Sequence, residues 1–201
     1  MNVVLIDYGA GNVPSVASAL RRLSVDVTTT NEAAALAYAD RLILPGVGHC
    51  AALINALDAK ALRQPLLSAI SRGVPFLGIC LGLQALYERS DEASQVAGLG
   101  LFKGTVTLLP KDEKLPHMGW NQLQPIHASA LLQGIAPNSF FYFAHSFAAP
   151  SAGAEGVALC NHGRDFIAVL ESKNVFGVQF HPEKSGAPGA KLLENFLRQA
   201  T

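Results

Sequence analysis

Apolar positions along the chain follow two rhythms. Through residue 90, short unbroken runs alternate with stretches at helical spacing. Val3–Ile6 is an apolar run that ends at Gly9 and Gly11. Runs of this kind suit strands buried on both faces, as in parallel sheets. Pro14 sits where a first helical turn tolerates it, and Val16, Ala17, Leu20 and Leu23 follow at helical spacing. Val25–Thr30, rich in β-branched residues, reads as a second strand. Arg41–Leu44 reads as a third, stopped by Pro45-Gly46-Val47-Gly48. Ala51–Ser71 has helical composition, interrupted near Pro65; Val74–Ile79 is another apolar strand ending at Cys80, and Gly82–Arg89 reads as helix. Strand and helix in alternation imply a parallel sheet with right-handed crossovers.

After residue 90 the rhythm shortens. Phe102–Leu108, Phe140–Phe147, Val157–Cys160, Phe166–Leu170 and Val175–Phe180 read as short strands with turn residues between them, largely antiparallel. Gly189–Gln199 closes the chain as a helix with Leu192, Leu193, Phe196 and Leu197 on one face. Lys111-Asp112-Glu113-Lys114 reads as an exposed loop. No repeat, low-complexity tract or linker interrupts the chain, so residues 1–201 read as one α/β domain. Its expected core is a mixed, largely parallel central sheet flanked by helices, with antiparallel strands from the second half.

Composition narrows the function classes. Hydrophobic residues make up 50% of the chain and charged ones 15%, with a formal net charge of zero. A typical chain carries about 25% charged residues. The balance disfavours nucleic-acid or anionic-membrane binding, which calls for basic excess, and disfavours disorder. The four-residue apolar run at the N-terminus is too short for a signal peptide, and no run approaches the length of a membrane helix. Three cysteines, an odd and sparse number, fit reduced thiols in a cytoplasmic protein better than a disulfide scaffold.

Chemistry concentrates in two segments. Gly78-Ile79-Cys80-Leu81-Gly82 places a thiol between glycines directly after an apolar strand. A nucleophile elbow has this layout, because the sharp turn needs small neighbours, and a helix N-terminus beyond it favours the thiolate. The spacing suits a reactive thiol as well as a buried inert one; Cys50 and Cys160 lack it and read as inert. In Gly177-Val178-Gln179-Phe180-His181-Pro182-Glu183, Pro182 biases His181 to extended backbone, so His181 and Glu183 project to one face. The carboxylate can then hold the imidazole tautomer while the other ring nitrogen faces a thiol. A metal-binding His-x-Glu pair or a surface histidine has the same spelling, but no third ligand stands at metal-site spacing. The Pro45–Gly48 loop, with the N–H of Leu81, can form an oxyanion hole, although the loop alone also reads as a plain strand-to-helix turn.

Together these two segments resemble the class I glutamine amidotransferases over nearly the whole chain. The resemblance implies that family's single-domain fold and a triad of Cys80, His181 and Glu183 that hydrolyses L-glutamine to glutamate and ammonia, without cofactor or metal. Asp7-Tyr8-Gly9-Ala10-Gly11-Asn12, Pro116-His117-Met118-Gly119-Trp120-Asn121, Phe141-Tyr142-Phe143-Ala144-His145-Ser146 and His181-Pro182-Glu183-Lys184-Ser185 are similar to the glutaminase subunits of imidazole glycerol phosphate synthase, in histidine biosynthesis. That likeness implies a heterodimer with a (β/α)₈-barrel cyclase, which takes the ammonia and forms imidazole glycerol phosphate and an aminoimidazole carboxamide ribotide. It implies an oxyanion hole from Val47, Gly48 and Leu81, and substrate binding by Gly46, Gln84 and Glu92. It also implies a partner interface at Asn12, Trp120, Tyr142, His145 and Lys184. By themselves Gln84 reads as an ordinary helix glutamine and Trp120 as a core residue. Leu83, His49-Cys50 and Phe147 depart from the family's usual wording without touching the triad. Low activity alone, strong stimulation by a liganded partner and a reorienting Gly46–Val47 peptide are further expectations. The alternatives are a glutaminase serving pyridoxal phosphate, anthranilate or purine synthesis, a catalytically silent binding subunit, and a cysteine peptidase. The Pro116–Asn121 and Phe141–Ser146 segments argue against the first, and the intact triad against the second.

Overall fold

Most of the apolar runs become strands of one sheet. The computed structural model describes residues 1–152 and 155–199. The first half contains β1 (Val3–Ile6), α1 (Val13–Arg22), β2 (Val27–Thr30), α2 (Ala33–Ala37), β3 (Arg41–Gly46), α3 (Cys50–Ala59), α4 (Arg63–Ser71), β4 (Phe76–Cys80), α5 (Leu81–Gln84) and β5 (Tyr87–Ser90). The second half contains β6 (Phe102–Leu108), β7 (His117–Gln122), β8 (Gln124–Pro125), β9 (Phe140–His145), β10 (Phe147–Ala148), β11 (Gly156–Asn161), β12 (Asp165–Ser172), β13 (Val175–Val178) and α6 (Gly186–Leu197).

The main sheet has eight strands in the order β2-β1-β3-β4-β13-β12-β11-β8. Its first five strands run parallel, and β12, β11 and β8 continue it antiparallel. β1, β3, β4 and β13 are buried throughout, as their largely apolar spelling requires; Arg41, at the start of β3, is the charged exception. Apolar cores lie on both faces: α1 and α6 pack on one, α3 and α4 on the other. β4 sits between β3 and β13, with Gly46 opposite Cys80 and Val178 opposite Ile79. The ends of three adjacent parallel strands therefore carry the glycine loop, Cys80 and the run to His181. Sites in open α/β sheets form at such carboxyl ends.

Local expectations fail where distant pairing decides. The helix expected over Gly82–Arg89 is one turn, Leu81–Gln84; beyond it the chain extends as β5 and pairs in parallel with β6. Tyr87 is fully buried there, and the ladder overrides a modest helical preference. The long helix over Ala51–Ser71 breaks at Lys60–Leu62, where Ala61 takes φ 52°, and Pro65 falls harmlessly in the first turn of α4. β7 was not legible as a strand: it exists by pairing with β9, from His117 opposite His145 to Gln122 opposite Phe140, in a separate two-stranded ribbon. The single strand expected over Phe140–Phe147 splits at Ser146, and β10 pairs with β6 instead. α6 begins at Gly186, three residues before the Gly189 read from the sequence. No helix among the described residues is long and apolar enough to cross a membrane.

Candidate active site

Cys80 stands at the turn from β4 into α5 with φ 55° and ψ −108°. A side chain at positive φ costs about 1–3 kcal/mol and persists only where the surroundings impose it. Here they do. A Cβ on Gly82 would stand 2.0 Å from the Leu44 carbonyl oxygen, one on Gly78 2.6 Å from the Gly82 oxygen, and one on Gly46 2.7 Å from the Gly82 nitrogen. Three glycines let β3, β4 and α5 close around the turn. The expected help from a long helix dipole is absent, since α5 has four residues and the dipole sums over aligned peptides.

His181 reaches the same place from the end of β13. The residue before Pro182 is extended, with φ −101° and ψ 96°, and its N–H donates to the Tyr142 carbonyl at 2.8 Å. His181 Nδ1 lies 2.9 Å from Glu183 Oε1, so the two side chains bind each other rather than diverging to hold a cation. Asn12 Nδ2 donates to the same oxygen at 2.9 Å. The Glu183 side chain is wholly buried and that of His181 nearly so. Cys80 lies close enough to act on the imidazole from its other side. Burial pulls the imidazole pKa down, but the hydrogen bonds and charges of Cys80 and Glu183 outweigh it and raise it to about 10. The protonated imidazole is thus favoured between a sulfur and a carboxylate. Gln179 Nε2 donates to Cys80 Sγ at 3.6 Å, and Gln84 Nε2 donates to Gln179 Oε1 at 3.0 Å.

A pocket of about 240 Å³ opens over the thiol, and Val47, Gly48, Leu81, Gln84 and Glu92 line it. Several expected roles change there. The Val47 N–H donates to the Tyr8 hydroxyl at 3.2 Å, so it is not free for an oxyanion in this conformation. Gly46 is absent from the lining; it packs behind it, against Leu81 and Gly82. Glu92 Oε2 accepts the Cys50 N–H at 2.6 Å, which caps α3, so the carboxylate is partly spent on the fold. Both N–H groups of Gln84 are spent too, on Gln179 and on the Phe147 carbonyl.

The residues expected at a partner interface divide. Trp120 is 56% exposed and meets Tyr142 edge-on at 5.9 Å, while the Lys184 amine stands 5.6 Å from the Tyr142 ring. Asn12 points inward to Glu183. His145 is buried and lines the pocket. The reason is the strand period: along β9, Phe141, Phe143 and His145 face inward, so His145 cannot share a face with Tyr142. Cys50 and Cys160 are buried, and burial pushes the Cys160 thiol up to about 12.

Residues 4–200 match the family model for glutamine amidotransferase class-I. The chain belongs to that family. A relative from Methanothermobacter thermautotrophicus, named imidazole glycerol phosphate synthase subunit HisH, is 45% identical over 97% of each chain. One of the same name from Aquifex aeolicus is 43% identical, covering 100% of this chain and 98% of its own. A solved structure described as a glutamine amidotransferase superposes with TM-score 0.77 at 17% identity, covering 97% of this chain and 96% of its own. The structure of PurLQS from Thermotoga maritima superposes with TM-score 0.73 at 22% identity, covering 98% and 97%. At that identity the likeness speaks for the fold alone, which is the class I amidotransferase fold.

For a class I amidotransferase, sequence reasoning passed over Tyr8 and Gln179. Tyr8 carries no local signal, since its partner is 39 residues away. Gln179 does carry one. It shares the face of His181 by the period of two, and it is a polar residue inside the apolar run Val178–Phe180.

Proposed function

We propose that the chain, working as one domain of residues 1–201 in the cytoplasm, is the glutaminase subunit of an imidazole glycerol phosphate synthase. It hydrolyses L-glutamine and passes ammonia to a (β/α)₈-barrel cyclase in a heterodimer. The names of the full-length relatives support the pathway. One observation carries the chemistry: His181, held by the buried Glu183, stands beside a strained Cys80.

In this reading the Cys80 thiolate attacks the side-chain amide carbon of glutamine. The C–N bond breaks as His181 gives its proton to the departing ammonia, leaving a thioester. Water adds with His181 as base, the C–S bond breaks, and glutamate leaves. Glu183 stays ionised and orients the imidazole, with Asn12 fixing the carboxylate in turn. Leu81 and Gly48 offer backbone N–H groups to the oxyanion, and Val47 joins them when the Gly46–Val47 peptide leaves Tyr8. Glu92 retains acceptor capacity for the substrate ammonium. Trp120, Tyr142 and Lys184 form the surface that meets the cyclase.

The test is glutamate release by the purified chain, alone and with a cyclase subunit and its ribulosyl ligand. Near-silence alone, strong stimulation in the complex and loss of both in Cys80→Ala are expected. Release at the parent rate by Cys80→Ala overturns the nucleophile. High activity indifferent to the cyclase overturns the pathway and keeps the chemistry.

A further inference from the structure

One backbone carbonyl orients the side-chain amides behind Cys80. Phe147 O can only accept, and Gln84 Nε2 lies 2.6 Å from it. The amino end of Gln84 therefore faces this way, and its second N–H meets Gln179 Oε1 at 3.0 Å. That leaves Gln179 Nε2 toward Cys80 Sγ, at 3.6 Å. The same carbonyl lies 2.9 Å from His145 Nδ1, which makes His145 Nε2 the acceptor for His117 Nδ1–H at 3.2 Å. His117 Nε2 in turn accepts from Asn121 Nδ2 at 3.3 Å. Each donor in the chain has one permitted direction. Gln84 is 6% exposed and Gln179 is wholly buried. A primary amide is costly to bury unless its hydrogen bonds are made, and here they end on the sulfur.

We propose that Gln179 is a further residue of the active site: its amide N–H donates to Cys80 Sγ, favours the thiolate and aims it into the pocket, and Gln84 positions it. The proposal rests on Cys80 being the nucleophile. A donated N–H stabilises an anionic acceptor more than a neutral one. His181 cannot supply this throughout, because it gives up its proton to ammonia. The Gln179 amide does not titrate, so the sulfur keeps a donor when it attacks and again when it leaves the thioester. With α5 only one turn long, this donor takes the place of the helix dipole as support for the thiolate.

The test is alkylation of the full chain by iodoacetamide across pH 5 to 10, with the Cys80 peptide followed by mass spectrometry. Gln179→Met keeps the length and removes the donor. It is expected to slow Cys80 labelling at pH 7 about tenfold and to move the labelling midpoint up by about one pH unit. Gln179→Glu moves it further, because a carboxylate then faces the sulfur. Gln84→Met gives a smaller shift in the same direction. A packing role alone would lower the melting temperature and leave the labelling profile in place. An unmoved midpoint in a Gln179→Met protein with native circular dichroism overturns the proposal. If that variant does not fold, an unmoved profile in Gln84→Met overturns it. Failure of the nucleophile reading shows separately, as glutamate release by Cys80→Ala.

Discussion

The elbow around Cys80 and the β7–β9 ribbon beside it are built on different principles. The elbow is held by backbone: three glycines admit chain atoms that a methyl group would displace, and they force Cys80 to positive φ. The ribbon is held by side chains on two faces. Its inner face buries Phe141, Phe143, His145 and His117, and its outer face exposes Met118 and Trp120. The teaching is that steric geometry leaves a local spelling, whereas a hydrogen-bonded face depends on which strand lies opposite.

The largest effect that can break this contrast is at the elbow. Gly82→Ala puts a methyl group 2.0 Å from the Leu44 oxygen, and backbone cannot yield cheaply there. A loss of more than about 4 kcal/mol is expected in urea unfolding, enough to remove folded protein. A normal unfolding midpoint would mean that the close approach is not what holds the turn.

Next in size is the inner face of the ribbon. Burial holds His145 at about 3 and His117 at about 4, against an ordinary 6.5; repulsion from His117 and His162 adds to the fall at His145, and repulsion from His162 to that at His117. Both pKa values are depressed, so the unfolded chain binds more protons below 6.5. Stability is full above that pH and falls as pH drops toward 4. About 2 kcal/mol per histidine is expected to be lost between pH 7 and 5. Urea midpoints against pH measure this, and His117→Gln with His145→Gln should flatten the curve. An equally steep curve in the double variant would place the acid sensitivity elsewhere.

Smaller still is the hold of Tyr8 on Val47. Tyr8→Phe removes the hydrogen bond it donates to the Val47 carbonyl and the one it accepts from the Val47 amide, the second worth about 1 kcal/mol and holding the amide proposed for the oxyanion. Glutamate release by the chain alone should rise about fivefold, and an unchanged rate would show that the Val47 peptide is held by something other than this hydroxyl.

The smallest stability effect is on the outer face. Trp120→Ala removes an exposed ring and should shift the unfolding free energy by no more than about 0.5 kcal/mol. The same change should weaken cyclase binding by more than about tenfold in titration calorimetry, as loss of an aromatic anchor does. Equal binding by the variant would take Trp120 off the interface.

The parallel strands, the elbow and the His181–Glu183 pair were legible because each rests on short-range chemistry. Apolar runs mark buried strands, glycines mark close approach, and Pro182 sets the residue before it. The period of two also contained information that residue types concealed: it separates His145 from Tyr142, and it sets Gln179 beside His181. The Gly82–Arg89 helix failed because β6 captures Tyr87 from a distance, and β7 was invisible because only β9 makes it a strand.

The amino-acid sequence by itself determined the α/β class, the place of the thiol on a strained turn and the residues that flank it, since these depend on sterics within a few positions. The tertiary structure alone decided where the polar groups end. It put the Val47 amide on Tyr8, Glu92 on α3, Asn12 on Glu183 and Gln179 on the sulfur. A donor finds its acceptor through space, and most of these partners lie tens of residues apart along the chain.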